Sequence, residues 1–96
     1  MAKPDIDVVD NPDEHRYEAR GSDGTVLGFS AYRRRGDTVV FTHTEVDDSQ
    51  EGKGVGSVLV RGALDDVRRA GRTVRPLCPF VRAYIERHEE YADLVE

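Results

Sequence analysis

Gly52, Gly54 and Gly56 alternate between the segment with the strongest strand pattern and the segment with the strongest helix pattern. Glycine has no Cβ, so it accepts positive φ and lets a second molecule approach the main chain. The first N–H groups of a helix lack partners within it and lie at the positive end of its dipole. A glycine turn feeding a helix is therefore suited to holding phosphate on bare backbone. The competing explanation is a tight turn in which the glycines only solve geometry.

The flanking elements are legible from their periods. Thr38–Val46 is dense in β-branched and aromatic residues, which predicts a strand. A period of two places Val39, Phe41, His43 and Glu45 on one face and Val40, Thr42, Thr44 and Val46 on the other. Both faces start apolar, so a central strand covered on both sides is expected. After the glycines, Val55, Leu59, Ala63 and Val67 recur every four residues, widened by Val60, Leu64 and Ala70. That is an amphipathic helix of about four turns. Asp65 is spaced to pair with Arg69 on its outer face, and Gly71 is placed to stop it.

Upstream, Ile6, Val8 and Val9 suggest a short strand, and residues 10–13 carry turn chemistry. Residues 15–20 and 25–34 read as strands, the second with Leu27, Phe29 and Ala31 on one face. The segments between them, residues 21–24, and after them, Gly36-Asp37, read as turns. Downstream, residues 73–77 form a short strand curtailed by Pro76. Pro79 opens a second helix with a stripe of Phe80, Val81, Tyr84, Ile85 and His88, and residues 93–96 read as a tail. The fold class is α+β, with helices on a mainly antiparallel sheet, and 96 residues suit one domain over 1–96.

Composition narrows the function. The formal net charge of −5 argues against non-specific nucleic-acid binding, which needs a positive field. Basic residues still cluster at Arg33-Arg34-Arg35 and between Arg61 and Arg87, so a local anion site is compatible with overall acidity. The Arg33-Arg34-Arg35 run itself reads as a solvated hairpin tip. The single cysteine, Cys78, excludes an intramolecular disulfide. No apolar stretch reaches the roughly 20 residues of a membrane span, and the first ten residues lack a signal-peptide core. A cytoplasmic setting without a membrane partner is the expectation.

The common nucleotide motifs fit poorly. A P-loop requires Lys before its Ser or Thr, whereas Ser57 directly follows Gly56. A dinucleotide fold requires repeated parallel βαβ units. One cysteine and the scattered His15, His43 and His88 give no metal-ligand spacing. Cys78 precedes a helix start, where the positive helix end can lower a thiol pKa, with Arg75 and Arg82 near in sequence. The alternative is a buried structural cysteine. His43 could serve as base or orient the thiol if the fold brought the two together.

The strand, the acidic turn, Glu51-Gly52-Lys53-Gly54-Val55-Gly56 and the amphipathic helix resemble the acetyl-CoA motif of GCN5-related N-acetyltransferases. Gly54 and Gly56 match the glycines of Gln/Arg-x-x-Gly-x-Gly/Ala, and Glu51 departs from its first position. Thr42-His43-Thr44-Glu45-Val46, the glycine turn and Leu77-Cys78-Pro79-Phe80 resemble the small single-domain branch of that superfamily, over roughly residues 29–95. The resemblance implies an acetyltransferase using acetyl-CoA and a small-molecule or protein amine acceptor. It implies that Thr44, Glu45 and Val46 offer backbone groups to pantetheine. Glu51, Gly52, Lys53, Gly54, Val55, Gly56 and Ser57 would hold the pyrophosphate through N–H groups, with Lys53 as an auxiliary cation. It also implies a catalytic role for Cys78, with His43 as its candidate partner. Larger relatives often use a helix tyrosine to protonate the departing thiolate, but Tyr84 shares a stripe with Phe80, Val81 and Ile85, which favours packing. Two routes stay open, direct attack of the amine on the thioester and transfer through Cys78. A non-catalytic module binding CoA, another phosphate ligand or a protein is the rival.

Overall fold

The computed structural model describes residues 6–50 and 52–96; Glu51 lies outside them. Five strands form one sheet in the order β1 (Asp7–Asn11), β2 (Arg16–Arg20), β3 (Val26–Arg35), β4 (Thr38–Val46) and β5 (Thr73–Pro76). The first four run antiparallel as a meander. β5 pairs parallel to β4, so the connection between them must cross over, and α1 (Val55–Arg69) supplies it. The second helix, α2 (Pro79–Arg87), begins three residues after β5.

Both helices pack on the same face of the sheet. Tyr17, Ala19, Tyr32, Val39 and Phe41 of the strands meet the expected stripe of α1, namely Val55, Leu59, Val60, Ala63, Leu64 and Val67. Val81, Tyr84 and Ile85 of α2 join that core. Burying each of the Val, Leu, Ile and Phe side chains contributes about 1.5–3 kcal/mol. Ala70 lies outside the stripe as the exposed C-cap, and Gly71 follows at φ 72. Gly71 N–H donates to Arg68 O and Arg72 N–H to Val67 O, which satisfies the last carbonyls of the helix. Asp65 does not pair with Arg69. Its Oδ1 accepts from Tyr91 OH at 2.7 Å, and Arg69 turns to Asp66 at 3.4 Å instead.

α1 approaches the sheet closely at Gly62. A Cβ there would lie 2.6 Å from Val8 Cβ and 2.8 Å from its Cγ2. Helix propensity alone makes Gly→Ala stabilising by about 1 kcal/mol. Here the methyl must displace the body of a side chain on β1, so Gly62→Ala is expected to be net destabilising by about 1–2 kcal/mol. The urea midpoint checks the sign.

Two bulges set which side chains face the helices. Between β2 and β3 the register slips by one at Leu27, and Leu27 packs against the core instead of sharing a face with Phe29 and Ala31. Between β3 and β4 it slips again: Ala31 pairs His43, but Tyr32 pairs Phe41. Thr42 is the extra residue. Paired residues share a face, so Ser30↔Thr44 and Gly28↔Val46 bring Thr44 and Val46 onto the helix side with Phe41. His43 and Glu45 point to the opposite side. The alternation expected through the whole of β4 therefore breaks at Thr42.

That opposite face has no helix on it among the described residues. The expectation of a strand covered on both sides is corrected accordingly. Val40 is nonetheless buried. It lies between Arg33 and Arg75 on the adjacent strands, and long arginine stems cover apolar surface while their heads stay wet. The face also holds Glu18, 2% exposed, which accepts from Arg20, Arg16 and Asn11. Burial alone would raise the Glu18 pKa, but these hydrogen bonds outweigh it and hold the group at about 2 against an ordinary 4.5. A carboxyl lowered by folding adds stability above its unfolded pKa and loses it as pH falls toward the folded one. The stability advantage of wild type over Glu18→Gln is thus expected to shrink between about pH 4.5 and pH 2, followed by urea midpoints across that range. A difference independent of pH would contradict this account.

Residues 93–96 are not a loose tail. A 3₁₀ segment, Glu89–Leu94, buries Tyr91 and Leu94. Val95 then bridges Val74 in parallel, and Glu96 N–H donates to Val74 O. The outer edge of β5 is covered in this way.

Candidate functional site

β4 and β5 run together only from Thr38↔Thr73 to Phe41↔Pro76. The last link is Cys78 N–H donating to Phe41 O at 2.9 Å. β5 has ended by then, and Pro79 turns the chain into α2. β4 continues for five residues, so the two strands part and leave a fork. Asp47 N–H donates to Leu27 O, so antiparallel alternation commits the main chain of Glu45 and His43 to β3. It turns the N–H and C=O of Thr44 and Val46 toward the space that β5 vacates.

The glycine turn closes one end of this fork. Gly52 and Gly54 hold φ of 81 and 77, in the region that side chains resist. Gly54 is the N-cap of α1 and brings no side-chain hydrogen bond. A Ser or Asp at this position would occupy the first N–H groups, and glycine leaves them bare. Lys53 N–H is already given to Gln50 O. The N–H groups of Val55, Gly56 and Ser57, which open α1, have no acceptor among the described residues. The Lys53 side chain is exposed.

Gly56 has a different task. A Cβ there would lie 2.6 Å from Cζ of Phe80, so the ring rests against the α1 backbone. Phe80 was expected in the core stripe of α2, yet it is 43% exposed and couples the starts of the two helices. This contact ties the glycine turn to Cys78.

Cys78 is the N-cap of α2 and is 2% exposed. Its Sγ lies 3.3 Å from Thr44 Oγ1, which lies 2.9 Å from Ser30 Oγ. Ser30 is fully buried. A line of three polar side chains thus runs from the sheet interior to the fork. The hydroxyls accept from a thiol and donate to a thiolate by rotation. The two nearby cations are engaged elsewhere. Arg82 donates to the carbonyls of Pro76 and Leu77, and Arg75 lies 3.6 Å from Glu96 on the other face.

His43 is not brought to Cys78. The Thr42 bulge places it on the far side of the sheet, where its Nε2 lies 2.7 Å from Glu45 Oε2 and its ring stands edge-on to Phe29. Thr44, expected to contribute only backbone, takes the side-chain contact instead. Ser30 was missed in the sequence. A small hydroxyl within the apolar run of β3 was its only signal. Tyr84 is buried and stacks on His88 with ring centres 4.0 Å apart, in agreement with packing, and burial raises its pKa. His15 is exposed in a turn. Among the described residues no cluster of metal-ligating side chains occurs, and no helix is long and apolar enough to cross a membrane.

The sequence model of the GCN5-related N-acetyl-transferase family matches residues 16–94. No curated protein matches the chain. The solution structure of a GCN5-like candidate N-acetyltransferase from Staphylococcus aureus superimposes with a TM-score of 0.71 at 20% identity, over 96% of this chain and 89% of that one. The crystal structure of a candidate phosphinothricin N-acetyltransferase does so with a TM-score of 0.54 at 21% identity, over 79% of this chain and 50% of that one. At these identities the likeness is one of fold.

Proposed function

The chain belongs to the GCN5-related N-acetyltransferase family, and from that premise we propose that it moves an acetyl group from acetyl-CoA to an amine through Cys78. The observation that carries this reading is the fork. Bare helix N–H groups stand at one end, and a thiol held by Thr44 and Ser30 stands at the point where the strands part. The donor supplies an acetyl thioester. Val55, Gly56 and Ser57 would hold its pyrophosphate, and the outward main-chain groups of Thr44 and Val46 would line its pantetheine arm.

The covalent route balances without a separate base. The Cys78 sulfur forms a bond to the acetyl carbon as the CoA sulfur leaves, and the thiol proton passes to that leaving thiolate. The amine then attacks the acetyl group on Cys78, and its proton returns to the Cys78 sulfur. Thr44, itself held by Ser30, would stabilise the negative charge that builds on the Cys78 sulfur as the thiol attacks and again as the amine displaces it. One observation favours direct attack by the amine instead: Cys78 is almost wholly covered and touches neither imidazole nor carboxylate among its hydrogen-bond partners. The Val46 N–H would then face the developing oxyanion.

Titration with CoA tests the shared part of both routes. Backbone amide resonances of Thr44, Val46 and residues 54–57 should shift together. An absence of shifts at millimolar CoA would remove the acetyl-CoA reading and leave an interaction module.

A further inference from the structure

On the side of the sheet away from the helices, a groove of about 520 Å³ runs along β3, β4 and β5. Three guanidinium groups, those of Arg33, Arg35 and Arg75, line it over an apolar floor at Val40. Its lining includes Thr42 and Leu77, the first residues beyond the Phe41↔Pro76 rung on their strands. The groove therefore ends at the fork that holds Cys78 on its other side.

Its charge is unbalanced. Among the described residues Glu96 is the one acidic residue that lines it. Glu96 accepts from Thr38 at 3.2 Å and lies 3.6 Å from Arg75, which shows that a carboxylate fits among these donors. The side chains of Arg33 and Arg35 have no ion-pair or hydrogen-bond partner among the described residues. They belong to alternate rungs, opposite Val40 and Thr38, so they lie on the same side of the sheet. Arg34 points the other way and caps the hairpin by donating to Gly36 O. The arginine run is solvated at the hairpin tip, as expected, and two of its three side chains also line this groove.

We propose that this groove binds the acceptor, and that the acceptor is an amine carrying a carboxylate or phosphate held by Arg33 and Arg35. The proposal rests on the acetyltransferase reading and names its substrate class. The distance along β4 from the arginine rungs to Thr42 is two to four residues, about 7–13 Å at the rise of a strand. A tripeptide with free ends spans this length. The overall acidity of the chain would favour a basic polyamine, but recognition is decided by local charge, and the local charge here is positive.

The test uses matched acceptors. Triglycine is compared with triglycinamide, and 6-aminohexyl phosphate with 6-aminohexanol, in acetyl transfer from acetyl-CoA. The anionic member of at least one pair is expected to show kcat/KM higher by roughly tenfold or more, and the favoured pair distinguishes carboxylate from phosphate. In Arg33→Ala/Arg35→Ala that advantage should fall to near unity. Equal kcat/KM within both pairs, or an advantage that survives the double substitution, would overturn the proposal. Amide shifts without acetyl-CoA give a second readout. Shifts at residues 33–35 and 75–77 that require the anion and vanish in the double variant support the groove even where no acceptor is acetylated, which would place the failure in the acetyl-transfer reading. No such shifts, with CoA still shifting residues 54–57, would leave that reading standing and remove the groove.

Discussion

Mixed with acetyl-CoA and quenched before turnover is complete, the protein should gain the mass of one acetyl group, and Cys78→Ala should gain none. Steady-state turnover of that variant should fall by about a thousandfold or more, since loss of a nucleophile removes the step it carries. The expectation follows from position. Cys78 stands at the last hydrogen bond between β4 and β5, at the start of α2, and its sulfur contacts Thr44. Folding penalties are expected to be small, because Cys→Ala removes one buried atom and costs about 1 kcal/mol. Amide shifts on adding CoA report that the fold and the glycine turn survive. Full turnover in Cys78→Ala would establish direct attack by the amine and reduce the thiol to packing.

The second expected result concerns the bare helix start. Gly54→Asp and Gly54→Asn share a backbone problem, since both must adopt φ near 77, at about 1–2 kcal/mol. They differ in charge. Without ligand, Asp should be the more stable of the two by about 0.3–1 kcal/mol, because an anion complements the positive helix end. With CoA the order should invert. A carboxylate where the pyrophosphate belongs repels it, and affinity for CoA should be roughly tenfold to a hundredfold weaker in Asp than in Asn. Calorimetric titration and thermal melts measure the two orders. Equal CoA affinity in the two variants would place the pyrophosphate elsewhere.

Much of this architecture was legible in the residues. The α1 stripe from Val55 to Val67, the stop at Gly71, the start of α2 at Pro79 and the hairpin at Gly36-Asp37 all follow local rules of period, cap and turn. The glycine turn was visible too, although the separate task of Gly56 depended on Phe80, a partner brought close only by the tertiary fold. The errors share one cause. Thr42 carries no local mark of a bulge, because threonine is ordinary in a strand, so His43 was assigned to the face of Phe41. Asp65 was assigned to Arg69 by helical spacing, whereas Tyr91, distant in sequence, takes it. Residues 93–96 read as a tail because the edge of β5 that they cover is invisible to any local window. Interactions between neighbours in sequence were readable, and register and long-range pairing were not.

The extra residue in β4 also decides what kind of chemistry can surround the thiol. Without it, the alternation of the strand would carry His43 to the side of Cys78 and Thr44 to the other. The sulfur would then face an imidazole, a group that gains and loses a proton near neutrality. With it, the sulfur faces a hydroxyl, which stays neutral across that range. A one-residue insertion thus selects, for the group that touches the sulfur, between a side chain that titrates and one that does not.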